Sequence, residues 1–271
     1  LPPIIRSSIF KEDQANTASE KKKTVTNAQI DTKIRSSILD FLLQHYPEHS
    51  RELNVTYRMN LDICRFPSQT WYQGRLLPAA GNAHSRLPLA GRLGKSWLDQ
   101  IIDPQKPVIM VGANHLNCNQ ESALEATLIS DLAHRLLHDY GIKHEQLAII
   151  SPHRAQNNTI TGNLRKLLGE TADLPLIDTV ERLQGAERDV IIFGFTSSDP
   201  DLVLQEFLNN PNRFNVAITR ARKKLIVVGS KIFFEAIAQT ENQLKNNACF
   251  KNFFEHCRKT DAYFEYEDSP T

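Results

Sequence analysis

The sequence lacks the features that mark membrane, secreted and strongly charged proteins. No apolar run approaches the ~20 residues of a membrane-spanning helix, and no signal peptide is visible. The 32 basic and 31 acidic residues leave a net charge of +1, so a nucleic acid could be bound only through a local patch. Four cysteines without paired spacing favour reduced thiols. We therefore expect an intracellular globular protein without a membrane partner.

Histidine and cysteine spacing does not predict a metal site. His134 and His138 would share one helix face, but no third ligand is placed to complete a site. Cys249, His256 and Cys257 likewise lack a second closely spaced pair that would bring the ligands to four. Surface histidines and no protein-bound metal are the expectation.

A complete phosphate-binding loop is also missing. Gly94-Lys95-Ser96 resembles the end of G-x-x-x-x-G-K-[ST], but Leu89 stands where the first glycine is required, and residues 85–90 form a poor buried strand. Without both glycines the backbone amides cannot easily wrap a phosphate. The Asp-Glu dipeptide that holds the metal in many nucleotide motors is absent as well. A self-contained nucleotide hydrolase built on this motif is the weakest interpretation.

Apolar segments alternate with helical patterns from residue 107 onward. Helical periodicity covers 119–140 and 155–168. Strands that are apolar on both faces and separated by helices predict an α/β fold with a parallel sheet. Functional residues are then expected on loops at the carboxyl ends of the strands, as Ser151 and Thr179 would be. The predicted strands are 107–112, 147–150, 176–179, 190–195 and 225–228.

Three regions are expected along the chain. Residues 1–29 include a polar, mobile insertion, and the start at Leu1 rather than Met suggests an excised fragment. Residues 30–240 would form the main domain, with a helix at 30–46 and an irregular connection at 74–107. Residues 241–271 would add a final helix packed on the sheet and a frayed end.

Two segments carry the most information. IDTVERLQGAERDVIIFGFT at 177–196 predicts a strand, a polar turn, a carboxylate and a fully apolar strand. NRFNVAITRARKKLIVVG at 212–229 predicts a short helix with Arg213, Arg220 and Arg222, then another apolar strand. A carboxylate and arginines at the ends of buried strands are suited to a phosphate-handling cleft.

These segments resemble motifs V and VI of superfamily 1B helicases, the branch with the nonsense-decay RNA helicases and the nuclease-linked DNA helicases. Residues 1–4 are similar to the end of motif III, 53–76 to motif IIIa, and 151–156 to motif IV. The resemblance covers about 1–5 and 37–235. It implies a RecA-like, P-loop NTPase-type parallel sheet sandwiched by helices: a second helicase domain without its own P-loop.

The resemblance also implies roles in binding and hydrolysing ATP. Tyr57 would stack on adenine, and Arg58 would contact the terminal phosphate. Gly185 would help form a turn, and Glu187 would face the ribose or the water network at the γ-phosphate. Arg220 would be the arginine finger, a role that suits the planar guanidinium fork.

The positions of the basic residues in the second segment also lead to two expectations that do not depend on the resemblance. Arg213 and Arg220 are seven residues apart and would share one side of the helix. Arg222, Lys223 and Lys224 would form a solvated cap at its end.

The resemblance also implies contacts with a nucleic acid. A turn after the predicted strand 147–150 would bind a phosphate, and residues after the predicted strand 176–179 would contact the nucleic-acid backbone. Single-stranded DNA is favoured because DTVERLQGAERDVII is closer to the DNA-repair and replication members, and RNA is the alternative. The family resemblance implies 5′→3′ polarity. The implied contacts are Ser151, Pro152, His153, Gln156, Thr179 and Gln184.

The leading interpretation is therefore the C-terminal motor domain of an ATP-dependent helicase, inactive alone. ATP and Mg²⁺ would be bound mainly by a first RecA-like domain located upstream. A catalytically decayed scaffold that binds nucleic acid is the rival class, although the presence of Arg58, Glu187 and Arg220 argues against decay.

Overall fold

The computed structural model describes residues 42–43, 45–183 and 185–266. The chain divides into two units, Leu1–Leu53 and Asn54–Thr271. In the first unit, the described part contains the end of a helix and a 3₁₀ turn at Pro47–His49. The polar insertion, the motif III-like start and most of the helix predicted for 30–46 lie outside the described residues.

Six strands of the second unit form one sheet in the order β5-β4-β6-β7-β3-β8, and every neighbouring pair is parallel. A separate parallel pair joins β1 (Val55–Thr56) to β2 (Leu77–Pro78). The predicted α/β fold with a parallel sheet is confirmed. The sheet strands are β3 (Val108–Ala113), β4 (Leu147–Ile150), β5 (Leu176–Asp178), β6 (Arg188–Gly194), β7 (Ala221–Gly229) and β8 (Tyr263–Tyr266).

Helices connect the strands and flank the sheet. One group on the sheet is α4 packed against α5, and another is α8 packed against α1, α6 and α7. A π-helical turn at Arg135–Asp139 continues α4, and 3₁₀ turns lie at His144–Gln146 and Val180–Leu183. The helices are α1 (Leu61–Trp71), α2 (Ala80–Ala83), α3 (Trp97–Ile102), α4 (Ala123–His134), α5 (Arg154–Leu168), α6 (Pro211–Ile218), α7 (Lys231–Glu235) and α8 (Glu241–Lys259).

The core lies around the central strands, which are buried on both faces. Strands β3 and β4 are buried along their whole length, and β6 is buried after its first residue. This explains their continuous apolar sequences, since helices cover both faces of a parallel sheet. No helix in the described part of the chain is long and apolar enough to cross a membrane.

The end of the chain was only partly foreseen. The predicted final helix is present as α8, which buries Phe250 and Phe253 in the core. Strand β8 then pairs with β3 and forms one edge of the sheet, a strand that sequence reasoning missed. Its four residues include a glutamate and form no apolar run. The expected frayed end falls on 267–271, outside the described residues.

Candidate functional site

Two predicted site residues lie at the amino ends of adjacent strands. Glu187 directly precedes β6, and Arg220 directly precedes β7. Since β6 and β7 are parallel neighbours, these ends lie side by side, and the Arg188 amide donates to the Arg220 carbonyl at 3.1 Å. The pairing of Arg188 with Ala221 at the start of the two strands, just before a shift in their register, therefore positions both residues.

A third site residue, Arg58, is brought to the same edge by the turn between β1 and α1. Asn60 caps α1 by accepting from the Ile63 amide at 3.0 Å. Its backbone amide donates to the Arg222 carbonyl and its side-chain Nδ2 to the Lys223 carbonyl, both at 3.1 Å. Asn60 is fully buried, so it fixes the Arg58 segment to the start of β7.

The Glu187 carboxylate lies between two guanidinium groups, those of Arg58 and Arg222. Arg58 Nε donates to Glu187 Oε2 at 2.6 Å, and Arg58 Nη1 donates to the Thr219 carbonyl at 3.1 Å. Arg222 Nη1 approaches the other carboxylate oxygen of Glu187 at 3.5 Å. Arg58, Glu187 and Arg220 thus lie in one region of the structure, and their roles in binding and hydrolysing ATP stay predictions.

Arg220 differs from its neighbours in its partners. Its Nε donates to the Val216 carbonyl at 3.1 Å, and no carboxylate of the described residues lies within ion-pair distance of it. Burial lowers the pKa of Arg220, and the nearby positive charge of Arg58 adds to this effect. Arginine stays protonated in proteins, so the site holds a charged fork that can bind an anionic oxygen.

Tyr57 and Gly185 border this cluster. The Tyr57 side chain is 80% exposed, and its backbone carbonyl accepts from Asn82 Nδ2. An exposed ring beside Arg58 is available for stacking on a planar ligand. Gly185 has φ +90°, a conformation that a side chain would strain, and it faces open space. Gln184 lies outside the described residues.

The expectation that site residues gather at the carboxyl ends of the strands is wrong for this cluster. The connection between β5 and β6 begins at the carboxyl edge with Thr179 and ends at the amino edge with Glu187. Helix α6 likewise brings the chain back to the amino edge before β7 begins. The candidate residues are therefore divided between the amino ends and the carboxyl ends of the strands.

The shared face expected for Arg213 and Arg220 is also wrong. Helix α6 ends at Ile218, and Thr219 caps it with its amide and hydroxyl donating to the Asn215 carbonyl. Arg220 follows this cap. Arg213, in the first turn, instead pairs with Glu181, with its Nε donating to Glu181 Oε1 at 2.8 Å.

The solvated cap expected at Arg222–Lys224 is a further correction, because all three residues lie in β7. Arg222 and Lys223 pair with Asp189 at 2.7 and 3.1 Å. Burial alone would raise the pKa of Asp189, but Lys223 and Arg222 hold it below its ordinary value. Lys224 is fully buried, and its Nζ donates to the carbonyls of Asp103 and Lys106 at 2.9 and 2.6 Å.

At the carboxyl ends of the strands, the side chains of two predicted nucleic-acid contacts, Ser151 and Gln156, are buried. Gln156 is fully buried, and its amide group binds the backbone of Ser122, accepting at 2.8 Å and donating at 3.2 Å. The Ser151 hydroxyl is also buried and lies 2.9 Å from Asn157 Oδ1. Motif spacing predicted that both residues lie where β4 leads into α5, but it did not indicate that their side chains point into the protein.

The other predicted contacts at this edge, Pro152, His153 and Thr179, remain partly exposed. His153 Nε2 lies 3.1 Å from the Ser197 hydroxyl, in the turn that follows β6. Burial lowers the pKa of His153, and the positive charge of Arg213 lowers it further. A neutral imidazole can donate or accept one hydrogen bond at this edge.

Sequence reasoning missed a buried polar network beneath the carboxyl edge. Glu125 in α4 is fully buried, and both of its carboxylate oxygens accept from the Thr196 amide at 3.0 Å. His115 Nε2 lies 3.0 Å from Glu125 Oε2, and His115 Nδ1 lies 2.9 Å from the Ser198 hydroxyl. The available signal was a glutamate inside the apolar stripe of a helix. The network fixes the turn that contacts His153.

Gly94-Lys95-Ser96 has a structural explanation. Ser96 caps the six-residue helix α3 in a capping box with Asp99, and no strand of the sheet leads into it. Arg135 Nε donates to buried Asp99 at 2.6 Å, and this contact holds the pKa of Asp99 well below its usual range. Within the described residues, no group of three or more His, Cys, Asp or Glu side chains could hold a metal ion.

The geometry defines a class: an α/β domain whose parallel sheet carries an arginine–carboxylate cluster at one edge. Residues 34–232 match the AAA domain family AAA_12. The chain belongs to this superfamily 1 helicase-type family.

Two curated relatives show the range of the similarity. The chain is 29% identical over 223 residues to the DNA polymerase alpha-associated DNA helicase A of Saccharomyces cerevisiae, covering 77% of this chain and 32% of that protein. It is 30% identical over 188 residues to the DNA replication ATP-dependent helicase/nuclease DNA2 of Gallus gallus, covering 66% of this chain and 16% of that protein. The chain thus spans a third or less of the length of these relatives.

One solved structure is the C-terminal domain of a possible DNA helicase from Lactobacillus plantarum WCFS1. It has a TM-score of 0.39 and 14% identity, covering 78% of this chain and 99% of that one. The fold assignment rests on the parallel sheet described above.

Proposed function

We propose that this chain is the second RecA-like motor domain of an intracellular ATP-dependent helicase that translocates 5′→3′ on single-stranded DNA. The relatives named as DNA helicases support the choice of DNA. RNA is the alternative substrate, since contacts with phosphates do not distinguish DNA from RNA.

The observation that carries the proposal is the convergence of Arg58, Glu187 and Arg220. Arg58 and Glu187 are 129 residues apart in sequence, yet their side chains are in contact. The cluster presents more positive than negative charge, and Arg220 has no carboxylate partner among the described residues. A terminal phosphate would supply the missing negative charge, and an arginine inserted in this way contributes roughly 10³–10⁵ in turnover.

The binding of ATP would be shared between two domains. Arg220 would act as the finger, Arg58 would contact the terminal phosphate, and Tyr57 would stack on adenine. Glu187 orients Arg58 in the structure, and it would face the ribose or the γ-phosphate water. The phosphate cradle and Mg²⁺ would be supplied mainly by a first RecA-like domain, so we expect no ATP hydrolysis by this chain alone.

The strand would be bound at the opposite, carboxyl edge, where Pro152, His153 and Thr179 remain accessible. Contacts there would be mainly to phosphates, and affinity would fall as salt concentration rises.

Arg220→Ala in the full-length protein tests the proposal. We expect ATP turnover to fall by roughly 10³-fold or more, while the affinity for single-stranded DNA stays within about twofold, because the strand binds at the other edge. Exposed Arg92 provides the matched control, and Arg92→Ala should change neither quantity. Near-normal turnover in Arg220→Ala would refute the finger assignment.

A further inference from the structure

Phe207 is an aromatic side chain in the connection between β6 and α6 that the predicted motifs did not include. It is 47% exposed, whereas Leu204 and Leu208 in the same connection are buried. A single exposed apolar residue is ordinary on a protein surface. What distinguishes Phe207 is the set of groups that hold it.

Arg213 of α6 and His153 of the turn after β4 contact the ring at the carboxyl ends of the strands. The guanidinium carbon of Arg213 lies 4.2 Å from the ring centroid, and Arg213 Nη1 donates to the Phe207 carbonyl at 2.8 Å. Glu181, which follows β5, in turn binds Arg213. The imidazole of His153, which follows β4, lies 5.5 Å from the ring at 39°. The ring is therefore exposed but restrained before any ligand arrives.

This arrangement fits the chemistry of an unpaired nucleobase. A base has two flat faces and stacks on aromatic rings with little dependence on its identity. His153, which contacts the ring, is itself one of the expected phosphate contacts, and Glu181, which binds Arg213, follows Thr179 by two residues. Because Arg213 is occupied by Glu181, it supports the ring instead of serving as a free phosphate ligand.

We infer that Phe207, backed by Arg213 and His153, is a stacking site for one base of the bound single strand. The inference rests on the proposed nucleic-acid function and adds a contact to a base to the contacts with phosphates. DNA and RNA share this chemistry, and the experiment separates them.

The test measures binding of the full-length protein by fluorescence anisotropy with labelled oligomers of about 12 nucleotides. One oligomer is oligo(dT), one has the same sugar-phosphate backbone without bases, and one is oligo(U). Phe207→Ala should weaken binding of oligo(dT) by about five- to a hundredfold and leave the abasic oligomer unchanged. Phe207→Trp should retain binding. Exposed Ile237 provides the control, and Ile237→Ala should bind all oligomers normally.

The outcomes distinguish this inference from the proposed function. An equal loss for oligo(dT) and the abasic oligomer would mean that the ring only supports its loop, and no loss for either would mean that it contacts no base; both overturn the stacking site and leave the helicase proposal standing. Failure of the unaltered full-length protein to bind any oligomer would overturn both. A loss for oligo(dT) or oligo(U) with the abasic oligomer unchanged supports the site, and the oligomers affected show whether it takes DNA, RNA or both.

Discussion

Lys224 lies in the central strand β7 and makes the stability of the fold depend on pH. Its ammonium group is fully buried and donates to two backbone carbonyls, those of Asp103 and Lys106. Burial lowers the pKa of Lys224 from 10.5 to about 7. The unfolded chain therefore binds more protons than the folded chain between pH 7 and pH 10.5, and stability rises with pH across this window.

The magnitude follows from the two pKa values. Each pH unit in which only the unfolded lysine is protonated adds about 1.4 kcal/mol to the free energy of unfolding. Between pH 7 and 8.5 the folded lysine changes from half protonated to almost neutral, so the lysine contributes a gain of about 1.6 kcal/mol. The buried thiols act in the opposite direction near the top of this range, because unfolded thiols ionise at about pH 8.5, whereas burial raises the pKa of Cys64 to about 11 and of Cys249 to about 12.

The assay is urea unfolding at pH 7 and 8.5, followed by tryptophan fluorescence, with the free energy extrapolated to water. Over this range the unaltered chain should gain about 1.6 kcal/mol more than Lys224→Met, because the contribution of the thiols is common to both proteins. Exposed Lys245 is the matched control, since Lys245→Met removes a lysine without removing a buried charge. A gain in Lys224→Met equal to that of the unaltered chain would show that Lys224 is not the group responsible.

Three other variants test the structure and the site. Glu125→Ala leaves the buried Thr196 amide without its acceptor and should lower the free energy of unfolding by about 2–4 kcal/mol in the same assay; a loss below 1 kcal/mol would contradict the network. Gly194→Ala would place a Cβ 2.7 Å from Glu125 Oε1, and we expect about 1–3 kcal/mol of destabilisation by denaturation. Lys95→Ala should leave ATP hydrolysis by this chain at background, with or without single-stranded DNA; turnover that the variant abolishes would make Gly94-Lys95-Ser96 a true phosphate site.

The sequence predicted the strands well because each is a short run of β-branched and other apolar residues between turns. The predicted strand at 147–150 has the bounds of β4, and the one at 176–179 ends one residue beyond β5. Local patterns determine such elements. They do not determine which strands are neighbours, and so they could not show that Glu187 and Arg220 meet at the amino ends of β6 and β7.

Side-chain direction was the other property that the sequence did not reveal. Gln156 fits a nucleic-acid motif by its position, yet its amide is used to hold Ser122. In β7, the basic run at 222–224 looked like a solvated helix end, but it lies in a strand whose register with β6 shifts at this point, and Asp189 of β6 binds both Arg222 and Lys223. Lys224 is consequently buried, an outcome that only the packing of the 103–106 loop decides.

The position of α6 relates the two halves of the proposed site to each other. Its first turn is fixed at the carboxyl edge, where Arg213 binds Glu181 and supports Phe207. Arg220 follows its last turn at the amino edge, held by a hydrogen bond to the helix carbonyl of Val216. Eight helical residues span about 12 Å, and packing against α8 and the sheet makes this length stiff. Under the proposed function, a nucleic-acid strand that moved the Phe207 ring would act on the same rigid element that sets the position of Arg220, and this short helix would connect strand binding to ATP hydrolysis.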